Sequence, residues 1–171
     1  CDPATEDCSP VTPSEPELVT TKSTTTSIGN DTVIESGETV TYTIEVSNTS
    51  GTDALDTVVL DDIKGIANVA GEFIYEDITL VSVKDMGGTD ITYTGDISGT
   101  SSSITVSKID KNNKAIIIVT AKVKADLTFA ENESIENVVT TDGTPNCDPA
   151  TEDCSPVTPS EPELVTTKST T

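Results

Sequence analysis

Four cysteines are the most chemically distinctive side chains of this 171-residue chain, and they form two identical pairs, Cys1 with Cys8 and Cys147 with Cys154. Each pair has the spacing C-x6-C, so the simplest pairing is local, Cys1–Cys8 and Cys147–Cys154. Closing a loop of about eight residues is worth about 2.5 kcal/mol in the chain-entropy model. A zinc site would want a closer cysteine spacing and two further ligands, which these segments do not supply. Disulfides in turn imply an oxidising, extracellular setting.

The carboxylates come next. The chain has 30 Asp and Glu against 9 Lys, with no Arg or His, and a net charge of −21. Calcium takes six to eight oxygen ligands, usually from clustered acids. Acids cluster at Asp2, Glu6 and Asp7, at Asp53, Asp56, Asp61 and Asp62, and at Glu72, Glu76 and Asp77; the second group is the candidate Ca²⁺ site, although none has the spacing of an EF-hand loop. The bland alternative is a solvated acidic face. No other cofactor is expected. Without His, and with no base that can be assigned to any Ser or Thr, catalysis on an external substrate is not expected. Such a negative surface repels nucleic acid and anionic lipid, which excludes both as partners. No apolar run approaches the roughly 20 residues that span a bilayer, so membrane insertion of this segment is not expected.

The elements that must hold these groups are arranged periodically. Residues 1–25 and 147–171 are identical, so the chain reads as a window on a tandem array with a period of 146 residues. The second copy contributes 5 of the acids and 1 Lys, leaving 25 acids and 8 Lys in one period. Residues 1–16 read as a linker, a cysteine loop followed by a segment with prolines at 10, 13 and 16. Proline at this density promotes an extended, semi-rigid spacer. Residues 17–145 read as one β-sandwich, 146–161 as the next linker, and 162–171 as the first strand of the next repeat.

Strands are read from β-branched content and period-2 alternation. They are expected at 18–27, 39–48, 54–63, 78–83, 90–95, 102–110, 114–125 and 134–142, with a short extended piece at Val33–Ile34. The clearest is 39–48, where Val40, Tyr42, Ile44 and Val46 alternate with polar residues. Asn112–Asn113 suits a tight turn, so 102–125 is expected to be a hairpin. The stretch 64–77, with Phe73 and Tyr75, reads as a loop tucked under the sandwich as an end plug. Closely spaced strands without a helical pattern indicate an all-β, two-sheet sandwich.

Several stretches resemble a known family. Lys22 near the first strand, the run Gly37–Asn48 with Ser50–Gly51, the strand end Val58–Asp61, and Asn137–Val139 in the last strand are similar to the Ig-like repeat called domain of unknown function eleven. The usual Asp-x-Leu-Pro corner is here Asp61–Asp62–Ile63–Lys64, without its proline, and 64–110 is longer than in the family pattern. The resemblance implies an Ig-like β-sandwich repeat with Pro-rich, disulfide-looped linkers, in the stalk or shaft of a cell-surface adhesin or filament. The partners it implies are neighbouring repeats, other surface filaments or an external adhesive target. Two alternatives stand beside it, a filament subunit assembling by strand addition and a calcium-binding ligand-recognition module.

Some Ig-like adhesin domains join a first-strand Lys to a last-strand Asn through an isopeptide bond, helped by a buried acid. Resemblance assigns those roles to Lys22, Asn137 and Asp61 or Asp62. The expectation is nonetheless an exposed Lys22 and a backbone-bonded Asn137, because a desolvated lysine is rare unless paired. Asn30, Asn48 and Asn132 begin N-x-[ST] sequons. Thr32 and Thr57 lie in Asp-Thr-Val triplets that resemble an O-glycosylation pattern of Bacteroidota surface proteins.

Overall fold

β-Branched residues alternating with polar ones make half-buried strands, and the computed structural model is built almost wholly of them. It describes residues 14–27, 33–130, 133–147 and 158–159. The strands are β1 (Leu18–Thr26), β2 (Val33–Ile34), β3 (Thr39–Asn48), β4 (Ala54–Asp61), β5 (Tyr75–Asp85), β6 (Tyr93–Ile97), β7 (Ser102–Ile109), β8 (Lys114–Val123), β9 (Val139–Thr141), β10 (Thr144–Pro145) and β11 (Thr158–Pro159). A single 3₁₀ turn, Ile63–Gly65, follows β4 among the described residues. The element at 75–85 is longer than the expected 78–83, and regular pairing in the last strand is confined to 139–141.

Two antiparallel sheets face each other. One has the order β1-β3-β8-β5, the other β10-β9-β4-β7-β6. Their inner faces meet in a core of Val40, Tyr42, Ile44, Val59, Ile104, Val106, Ile117, Val119 and Val139, each 0–1% exposed. Fully burying one such aliphatic side chain is worth about 1.5–3 kcal/mol, so this interface dominates the stability of the fold. On β8 the alternation resolves cleanly: Ile117, Val119 and Ala121 point inward, and Ile116, Ile118 and Thr120 are half-buried on the other face.

β7 and β8 are not a hairpin, which corrects the expectation for 102–125. β7 pairs with β4 and β6, whereas β8 pairs with β3 and β5. The turn chemistry was read correctly, since Asn112 has φ 55 and Asn113 N–H donates to Asp110 O at 3.1 Å. The turn spans the two sheets instead of joining neighbours in one. Both strands carry apolar inner faces, and crossing the core buries one against the other.

The loop at 64–74 is only partly a plug. Ile74 and Tyr75 are buried, but Phe73 and Val69 are 56% and 75% exposed. Asn68 holds this loop by donating to Glu72 Oε2 and Thr128 O, and Glu133 accepts from Val69 N–H at 2.6 Å.

Candidate functional site

Lys22 lies at the middle of β1, an edge strand, and points into the sandwich with a side chain 0% exposed. Asp61 closes β4 in the opposite sheet and is also 0% exposed. Lys22 Nζ meets Asp61 Oδ2 at 2.5 Å. Asn137 is 3% exposed, in the stretch leading into β9 where Ile135, Asn137 and Val139 are the inward residues. Pairing of Val139 with Asp61 brings that stretch alongside the end of β4. The expectation of an exposed lysine is therefore overturned. The acid that meets Lys22 is Asp61, while Asp62 points outward to Ser102 and Lys64.

The charges are held against their preference. Burial pushes Lys22 down to about 8, with Asp61 opposing the shift. Burial pushes the Asp61 carboxyl up, against the pull of Lys22 and of the Asn137 amide. Both groups thus move toward their neutral forms, as desolvation requires. Asp61 Oδ1 and Asn137 Nδ2 are both buried without a partner at hydrogen-bond distance. An amide and a carboxyl that are neither exposed nor fully bonded are unusual in a folded interior and call for an explanation.

Two aromatics wall the site. Lys22 Nζ lies 4.6 Å from the centroid of the Tyr42 ring. Tyr42 and Tyr75 meet edge to face, with centroids 6.0 Å apart, and the Tyr42 hydroxyl donates to that of Tyr75 at 2.7 Å. Burial raises the Tyr42 phenol well above its ordinary range and Tyr75 to about 12, so both stay neutral beside the amine. Sequence reasoning did not include this pair in the site. The available signal was the inward register of Tyr42 among Val40 and Ile44.

The other candidate residues are dispersed. Asp53 accepts from Lys108 and from Lys111 N–H at the surface. Asp56 is exposed with φ 51, Asp61 is interior, and Asp62 is on the outer side. These four carboxylates do not converge, and among the described residues no group of three or more Asp, Glu, His or Cys is placed to hold a metal ion. Thr57 is 1% exposed. Asn48 is equally buried, donating to Thr52 O and Ile109 O. Cys147 is disulfide-bonded. Cys1, Cys8, Cys154, Thr32, Asn30 and Asn132 lie outside the described residues.

No helix among the described residues is long and apolar enough to cross a membrane. Comparison with family models, curated proteins and solved structures finds no match to this chain.

Proposed function

We propose that this chain is a load-bearing Ig-like repeat of a large extracellular surface protein, whose Lys22 and Asn137 join in an intramolecular isopeptide bond assisted by Asp61. The observation that carries the reading is the buried Lys22–Asp61 pair at 2.5 Å, with the carboxamide of Asn137 on the adjoining stretch. A lysine ion pair sealed in a small core adds little to stability, because desolvation offsets most of its attraction. Its placement beside a carboxamide suits chemistry better.

The steps follow from the protonation states. Lys22 passes a proton to Asp61 through their short contact, leaving a neutral amine and a carboxylic acid; burial favours this direction on both sides. The amine lone pair attacks Cγ of Asn137, and the carboxylic acid hydrogen-bonds the carbonyl oxygen as negative charge develops there. The amine proton returns by way of Asp61 to the departing amide nitrogen. The Cγ–Nδ2 bond breaks, the Cγ–Nζ bond remains, and ammonia leaves. One amide replaces another, so no oxidant, metal or activated cofactor is required. Fixed positioning of amine and amide supplies the effective concentration that free lysine lacks.

The bond would also explain the fold's ends. The chain enters at β1 and leaves past β9, so tension along the chain passes through its first and last strands. A covalent tie from 22 to 137 carries that tension directly and shields the strands between. Intact mass of the denatured, reduced chain tests the reading. The expected chain is one ammonia lighter than its composition requires, and the Asp61→Ala variant has the full mass. Full mass in the parent chain would overturn the proposal.

A further inference from the structure

The structure places Thr158–Pro159, within the segment read as the next linker, against the domain that precedes it. Thr158–Pro159 forms β11, which runs parallel to β2, with Thr158 opposite Val33 and Pro159 opposite Ile34. β2 lies outside both large sheets and has β11 as its strand partner. Ile34 is fully buried and anchors β2 to the core, and Val33 is 36% exposed beside the added strand. The adjoining turn is well tied: Gly37 N–H donates to Val123 O, Val123 N–H to Glu38 O, and Glu35 N–H to Glu38 Oε2. Its edge is therefore a rigid receptor, and proline in an added edge strand is tolerated because it need not donate on its outer side.

Direction supports the same arrangement. β1 begins opposite Asn48, at the end that carries the 48–53 loop. β9 runs back toward that end, but the turn at Asp142–Gly143, with φ 48 and 81, reverses the chain into β10. Asn146 locks the reversal, donating N–H to Val139 O and accepting from Val139 N–H. The departing chain is thus aimed at the opposite end, where β2 lies between the end of β1 and the start of β3.

We propose that β2 of each repeat is the docking edge for the Thr-Pro segment of the linker that follows it, so that the joint between repeats is clamped. Its extension from this chain to an array rests on the tandem-repeat reading; the docking itself does not. Leu164 is the counterpart of Leu18 one period on. From Asn146 to Leu164 the extended chain could reach about 60 Å, whereas from Pro159 it reaches at most about 18 Å. Docking therefore leaves only residues 160–163, the acidic sequence Ser-Glu-Pro-Glu, between the docked strand and Leu164. Thr158–Pro159 would thus serve as a splint on the preceding domain.

Amide hydrogen exchange in the 171-residue chain tests this. The amides of Val33, Ile34 and Thr158 should be protected in the parent. They should exchange about tenfold faster in the Thr158→Gly, Pro159→Gly variant, which keeps the domain intact but weakens the added strand. Protection in β3 and β8 should be the same in both proteins, showing that the sandwich is unaffected. Equal exchange at β2 in parent and variant would overturn the clamp. Protection that fades on dilution would also overturn it, because the strand would then come from another molecule. The intact-mass measurement is independent, so failure of the clamp and failure of the cross-link are separately visible.

Discussion

Removing the carboxamide of Asn137 separates a covalent role from a merely structural one. As a packing residue, Asn137 contributes modestly: its Nδ2 has no partner at hydrogen-bond distance, and its amide acts on the neighbouring Asp61 carboxyl. Replacing it by Ala then costs about 1 kcal/mol, the net worth of one typical side-chain hydrogen bond. As a cross-link partner, it closes a loop running from 22 to 137, about 116 residues, whose restriction of the unfolded chain is worth about 5 kcal/mol in the chain-entropy model. For a domain of this size, whose unfolding entropy is roughly 0.25 kcal/mol per kelvin, that loss lowers Tm by about 20 °C. The assay is thermal and urea unfolding of parent and Asn137→Ala, with the disulfides intact in both. Under denaturing electrophoresis the parent should also migrate ahead of the variant, because a tied loop is more compact when unfolded. A loss of about 1 kcal/mol or less with unchanged migration would refute the cross-link reasoning and leave Lys22–Asp61 as a plain buried ion pair.

Two further outcomes follow from the same geometry. In Asn137→Ala, Lys22 keeps an un-cross-linked amine with a folded pKa of about 8 against about 10.5 when unfolded. The unfolded state binds more protons across that window, so the variant gains stability as pH rises from 8 toward 10, whereas a cross-linked Lys22 cannot titrate. The stability gap between parent and variant should therefore narrow by up to about 1.4 kcal/mol per pH unit, and a constant gap in urea titrations would contradict it. Gly95→Ala should destabilise the domain by about 1–3 kcal/mol in urea unfolding. Gly95 has φ +86, and an added Cβ would fall 2.5 Å from Ser103 O on β7, which cannot retreat without leaving the sheet.

Strand positions were legible because β3 and β8 alternate strongly, and a half-buried surface demands that alternation. The sandwich class followed from strand number and spacing. The identity of the site was less accessible. β1 reads LVTTKSTTT, with Thr on both faces, so periodicity does not say which way Lys22 points. β4 has Val59 inside but Val58 and Leu60 outside, 42% and 43% exposed, so its inner face is equally hard to read, and the Asp61–Asp62 pair could not be divided into an inner and an outer acid. The β7–β8 connection failed for a related reason. A tight Asn-rich turn has the same local chemistry whether the strands pair with each other or separate into facing sheets.

The sequence by itself determined the identity of residues 1–25 with 147–171, the strand-rich composition and the candidate trio Lys22, Asp61 and Asn137, the last through resemblance. Tertiary structure decided that Lys22 is buried against Asp61 39 positions away, and that Asn137 lies in the same dry interior. It also decided that Thr158–Pro159 sits on β2. The physical reason is common to all three. Each depends on which backbone edges and faces meet across long stretches of chain, and on how much water that meeting removes. Local propensity is blind to both.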